Sequence, residues 1–263
     1  MTIEKSRRMP IGTVSTWADG RTFRKEAEGR WVQVGSAPDS GGASEPELPK
    51  KYDLEGARVQ IDQERLEAFE PGMTTHQLLE LLGVPVDHVT ETTWVHAGKP
   101  IGDKIDGVQI TVQTDKSLVE ATLRKLPNGK KVMDGHMIEM YDRGKGGGTA
   151  ILTGMVGALR RAGYVRISAT AEGDASTVND VPPMNGYITW PKMGFDGPLP
   201  AAIRKKLPEE YADATRVSDL MRSPERRQWW AENGSSIKVS FDLDPGSRSS
   251  QVLEAYLRAK AGR

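Results

Sequence analysis

The chain of 263 residues has no cysteine. That excludes disulfides, thiolate catalysis and cysteine-ligated zinc. It suits a cytoplasmic setting without requiring one, because a protein with no thiols is indifferent to redox state. Histidine is scarce as well. The four, at positions 76, 88, 96 and 136, have none of the close spacings of a zinc-binding helix, so no metal site is expected. No apolar run approaches the ~20 residues of a membrane-spanning helix. The charged stretch Met1–Arg8 has no apolar segment behind it, so a secretory signal is not expected either. Net charge is absent too, with 36 Lys plus Arg against 36 Asp plus Glu. A balanced surface supplies no field to draw in nucleic acid or anionic lipid. Apolar residues make up 37%, low for a wholly compact chain, which predicts some poorly packed segments.

What is present falls into four regions. Residues 1–35 read as a small β-hairpin unit, with Val14, Thr16, Phe23, Trp31, Val32 and Val34 in short runs parted by Asp19-Gly20 and Glu28-Gly29. Residues 36–51 are rich in Ser, Gly, Pro and acids and read as a flexible linker. Residues 52–104 form a small α/β region without an evident role. Gln60–Phe69 is a helical stretch, Thr75 caps a short helix bearing Leu78, Leu79, Leu81 and Leu82, and Val89–Val95 reads as a strand. Residues 105–263 hold the most regular pattern. Val108–Thr114, Val119–Leu126 and Lys131–Tyr141 are strands, the last two joined by Pro127-Asn128-Gly129. A helix over 149–162 follows, with Ile151, Leu152, Met155, Val156 and Leu159 on one stripe, then a strand over 164–171. Ala201–Lys206, Ser218–Ala231 and Ser249–Lys260 are further helices, and Ser236–Asp242 is a strand.

Between the third strand and the helix lies Arg143-Gly144-Lys145-Gly146-Gly147-Gly148-Thr149. The first N–H groups of a helix lack partners within it and carry the positive end of the dipole. A phosphate satisfies them, and glycine leaves room for its approach. Arg143 adds charge-assisted hydrogen bonds and Thr149 a hydroxyl. Two well-known phosphate loops do not fit. The Walker loop needs Lys after its last glycine, whereas Lys145 precedes Gly146–Gly148. The dinucleotide fingerprint fails at position 149, which is Thr.

The pattern that fits is Arg-x-x-Gly-x-Gly, with Arg143, Gly146 and Gly148. It resembles the pyrophosphate loop of the GNAT acyltransferase superfamily, and the preceding strands followed by helix and strand resemble that fold. A second likeness is Asn185–Phe195, an aromatic segment ending in Gly-Phe. Its NGYxTWPxxGFD run is similar to GNAT-like domains of phage and mobile-element proteins. The resemblance spans about residues 105–260. It implies an α/β fold of the α+β kind: a mixed, mainly antiparallel sheet with helices on both faces, a cleft where two central strands splay, and the N-terminal hairpin as an appendage. It further implies an acyl-CoA-dependent N-acyltransferase using acetyl-CoA as cosubstrate and an unidentified amine as acceptor. Arg143, Gly144, Lys145, Gly146, Gly147, Gly148 and Thr149 would hold the pyrophosphate. Two alternatives stand beside it: a catalytically inactive structural module partnering phage proteins, and a phage-delivered protein acting against a host system. The implied location is the bacterial cytoplasm or the virion.

Amine acylation also requires proton transfers. Many GNAT enzymes carry a tyrosine acid where this chain has Trp190, and indole is no practical proton donor. Tyr187 is the substitute acid, with Trp190 read as a core aromatic. Glu139 is the candidate base. Strict alternation along its strand would set Glu139 and His136 on opposite faces.

Overall fold

The computed structural model describes residues 14–16, 22–27, 30–35, 52–99, 107–141, 145–179 and 184–261. The chain divides into two compact units, residues 1–50 and 51–263. In the first, strands β1 (Val14–Thr16), β2 (Thr22–Ala27) and β3 (Arg30–Gly35) pair antiparallel in that order. The linker read at 36–51 lies outside the described residues.

The second unit is built on one seven-stranded sheet of order β10-β9-β8-β7-β6-β5-β4. Its strands are β4 (Arg58–Ile61), β5 (Trp94–Gly98), β6 (Val108–Gln113), β7 (Ser117–Lys125), β8 (Lys131–Met140), β9 (Tyr164–Ala171) and β10 (Ile237–Asp242). β4–β5 and β8–β9 are parallel and the other pairs antiparallel. Eight α-helices accompany them among the described residues: α1 (Gln63–Phe69), α2 (Thr75–Leu81), α3 (Gly147–Arg161), α4 (Gly186–Lys192), α5 (Ala201–Arg204), α6 (Val217–Leu220), α7 (Pro224–Asn233) and α8 (Arg248–Ala261). Residues 52–99 share the sheet with everything that follows, through β4 and β5.

Alternation along the strands sorts the sheet into two unlike faces. Val95, Ala97, Ile110, Val112, Val119, Ala121, Met133, Ile167 and Phe241 are buried together on one. Thr111, Gln113, Glu120, Arg124, Asp134, Ser168 and Lys238 occupy the other. Each of the eight helices contributes a buried apolar side chain to the single core cluster on the first face, among them Leu66, Leu79, Leu152, Tyr187, Trp230 and Leu253. The expectation of helices on both faces is therefore corrected: the described helices cover one face. The second face also carries Trp94, Leu118, Val132 and Met137, but Thr, Gln, Ser and charged side chains dominate it and gain little from packing under a helix.

Several local readings also change, among them Gln60–Phe69, whose first two residues belong to β4 and whose helix begins at Gln63. The helix at 75–81 is capped by Thr74, whose hydroxyl accepts from the Gln77 N–H while Gln77 answers with its side chain. Val89–Val95 is not strand throughout, since β5 begins only at Trp94. Thr90 to Thr93 closes on itself instead: the Thr90 N–H donates to Thr93 Oγ1 at 2.8 Å and the Thr93 N–H to the Thr90 carbonyl at 2.9 Å. Threonine hydroxyls compete here with the ladder. The helix read at 218–231 is two, α6 and α7, because Ser223 caps a new start and Pro224 takes its first position.

The helical layer is tied by a close approach of α2 and α3. Gly83, just past α2, has φ +66°, and a Cβ there would lie 2.0 Å from the Ile151 carbonyl oxygen and 2.5 Å from the Met155 nitrogen. Tyr52 anchors the same corner, donating its hydroxyl to the Val84 carbonyl at 2.8 Å. Gly83→Ala thus combines a left-handed backbone with a backbone clash. We expect a loss of about 2–4 kcal/mol, measured as a lowered urea midpoint at unchanged slope.

Candidate functional site

The site originates in a mismatch along β8. Glu120 of β7 lies opposite Met137, but the next pair is Ala121 with Gly135, so His136 is an extra residue in the ladder. Such a bulge bends its strand and breaks the alternation. On its other side β8 pairs with β9 from Lys131–Tyr164 only as far as Gly135–Ala169. Beyond that point the two parallel strands part. A cleft of about 610 Å³ occupies the gap.

The cleft is lined from both faces of the sheet. Toward the helices its floor is Met133, Leu152, Met155, Ile167, Met193 and Phe195, all core side chains no more than 3% exposed. Toward the polar face its rim holds Glu120, His136 and Glu139. His136 Nε2 lies 2.7 Å from Thr122 Oγ1, and Glu120 accepts from the Gln109 amide. Glu139 stands across from Leu118, on the same polar face. The expected separation of His136 from Glu139 is corrected by the bulge, which turns both the same way. Among the described residues, no hydrogen bond or ion pair holds the Glu139 carboxylate.

At the mouth lies the first turn of α3. Gly146 is its N-cap with φ +83°, and no side chain caps the turn. Gly146, Gly147, Gly148 and Thr149 all line the cleft. A Cβ on Gly147 would come 2.3 Å from Met140 Cε, the mobile end of a flexible side chain that can give way. Lys145 is exposed beside the turn and does not line the cleft. Arg143 and Gly144 lie outside the described residues.

A cation that the sequence reading missed joins this turn. The Lys260 ammonium, at the end of α8, donates to Thr149 Oγ1 at 3.1 Å. It also sits 3.1 Å from where a Gly146 side chain would begin. The register of α8 along α3 carries it there. Arg160, in the last turn of α3, donates from Nε to the Leu243 carbonyl at 2.8 Å and also bonds the Ser250 hydroxyl. The helices thus run antiparallel, pinned at one end by Arg160 and meeting at the other through Lys260. No spacing in the sequence announces a contact across more than a hundred residues.

The aromatic pair of α4 exchanges the roles expected of it. Tyr187 is fully buried away from the cleft, and its hydroxyl donates to the Ala231 carbonyl at 2.6 Å. Its ring stands 6.2 Å from that of Trp230, whose indole N–H donates to the Tyr187 carbonyl at 2.8 Å. Burial, with Asp174 adding, raises the Tyr187 pKa above the ordinary phenol value. Trp190 instead lines the cleft, its ring edge-on to Phe195 at 5.1 Å. The segment is a helix that docks on α7, so Tyr187 faces α7.

Compared with known proteins, the chain matches no family model, and no curated relative aligns with it.

Tyr187→Phe leaves the partly buried Ala231 carbonyl without its partner. We expect a loss of about 1–2 kcal/mol at neutral pH, read from urea unfolding. Because the folded pKa is raised, the hydroxyl's contribution is complete below about pH 10 and declines as pH rises toward the folded value. The gap between wild type and variant therefore narrows when unfolding is repeated above pH 10.

Proposed function

We propose that the chain is an acyl-CoA-dependent N-acyltransferase of the GNAT kind, passing an acyl group from a thioester to an amine. The observation that carries this reading is the cleft opened where β8 leaves β9 at the bulge, with the uncapped glycine turn of α3 at its mouth. Three features support it. The backbone edges of β8 and β9 beyond Gly135 and Ala169 are not paired with each other, and the amides of a pantetheine arm can hydrogen-bond such an edge as an added strand would. The N–H groups opening α3, together with Lys260, suit a pyrophosphate. In sequence, Arg143, Gly144 and Lys145 directly precede this turn. Finally, the gap is lined from both faces, so a thioester in it can be met by an amine from the polar side.

In the reaction the amine nitrogen forms a bond to the thioester carbon, the carbon–sulfur bond breaks, and the electron pair leaves with sulfur. The amine must lose a proton and the thiolate gains one. Glu139 and Glu120 are carboxylates at the polar rim that can take the amine proton, directly or through water. Tyr187 is withdrawn as the acid, since its hydroxyl is already committed to Ala231. That withdrawal favours a second reading: the same domain binding coenzyme without turnover, as an interaction module of a phage or mobile element.

Titration calorimetry with acetyl-CoA tests the coenzyme site. We expect saturable binding that Gly146→Glu abolishes and Lys260→Ala weakens by about tenfold, the worth of one charge-assisted hydrogen bond. At a hundred times Kd the ligand stabilises the fold by about 2.7 kcal/mol. Binding with acyl transfer to a panel of amines supports the enzyme, and binding without transfer the second reading. Failure to bind at millimolar acetyl-CoA overturns both.

A further inference from the structure

The lining of the cleft is more apolar than acetyl transfer calls for. Six of the chain's ten methionines line it: Met133, Met137, Met140, Met155, Met184 and Met193. Methionine is unbranched and polarizable, and it repacks around apolar ligands of varied shape. Met137 and Met184 are 45% and 44% exposed and Met140 is half-buried, whereas Met133, Met155 and Met193 are buried. The apolar surface open to a ligand is therefore that of the cleft walls, with Met137, Met140, Met184, Trp190 and Tyr256. An acetyl methyl would touch only a small part of these walls. The remaining void would stay apolar and poorly hydrated, which forfeits contacts that a longer chain recovers.

We propose, resting on the acyltransferase reading, that the group carried into the cleft is a medium-length apolar acyl chain, hexanoyl to octanoyl in size, rather than acetyl. Charge complementarity identifies the occupant. The site is cationic at its mouth, through the opening N–H groups of α3 and Lys260, and apolar at its depth. An anionic phosphate head joined to an apolar tail matches both ends. The apex of the split is kept open by the pair Gly135 and Ala169, the last residues at which β8 and β9 face each other.

The experiment is a calorimetric series with CoA, acetyl-CoA, hexanoyl-CoA and octanoyl-CoA on the full chain. All four are expected to bind. From acetyl to hexanoyl, Kd should tighten about three- to fourfold for each added methylene, on the order of a hundredfold in total. The heat-capacity change should become more negative along the series. Ala169→Leu, which fills the split, should shrink the hexanoyl advantage over acetyl to less than about threefold, below the worth of one buried methylene. Gly135→Ala is the milder companion, since its new methyl would meet the Ser168 carbonyl oxygen no closer than 3.7 Å, an ordinary contact. It should reduce the same advantage in part. Melting curves establish that each variant is folded. Equal affinity for acetyl- and hexanoyl-CoA, or exclusion of the longer chains, overturns this inference while the acyltransferase reading stands. If CoA itself fails to bind, it is the acyltransferase reading that falls.

Discussion

The site depends on one backbone constraint: β8 cannot keep pairing with both neighbours once it carries an extra residue at His136. It stays paired with β7 to Met140 and gives up β9 at Gly135. Unpaired strand edges inside a sheet must find other partners, because buried N–H and C=O groups are costly to strand. Two consequences follow from this parting. The gap leaves a cleft with apolar walls where a closed sheet would leave none. It also leaves the edges of two strands ready to hydrogen-bond something extended. The same extra residue turns His136 toward Glu120 and Glu139, gathering titratable groups on one rim.

The two faces of the sheet divide the work. Every described helix packs on the apolar face, so that side supplies a floor, a helix N-terminus and a basic side chain. The polar face supplies carboxylates. Electrostatics agree with this division. The N-terminal end of α3 is already the positive end of its dipole, and Lys260 adds a cation to it. No carboxylate among the described residues pairs with Lys260 to offset it. Such an arrangement favours an anionic visitor, and it depends on α8 running antiparallel to α3 from its anchor at Arg160.

By itself the sequence determined the local order of this protein. Ile151, Leu152, Met155, Val156 and Leu159 recur at helical spacing, and all five are buried on α3. The strand, glycine turn, helix and strand from 131 to 171 were legible because each rests on near neighbours in the chain: period, cap and turn chemistry. The glycine turn was legible for the same reason. Tertiary structure alone decided which residues meet there. His136 is a bulge only because β7 offers one residue fewer, which no pattern within β8 records. Tyr187 and Trp190 are both plausible inward aromatics on a short helix. The Ala231 carbonyl and the Trp230 ring, more than forty residues away, select Tyr187 for the core and leave Trp190 to the cleft. Lys260 reads as one more basic residue in a terminal helix until α8 is laid along α3. Periodicity encodes what a residue does within its own element. Which atoms share a cleft depends on register and packing between elements distant in sequence, and single-chain patterns carry no record of that.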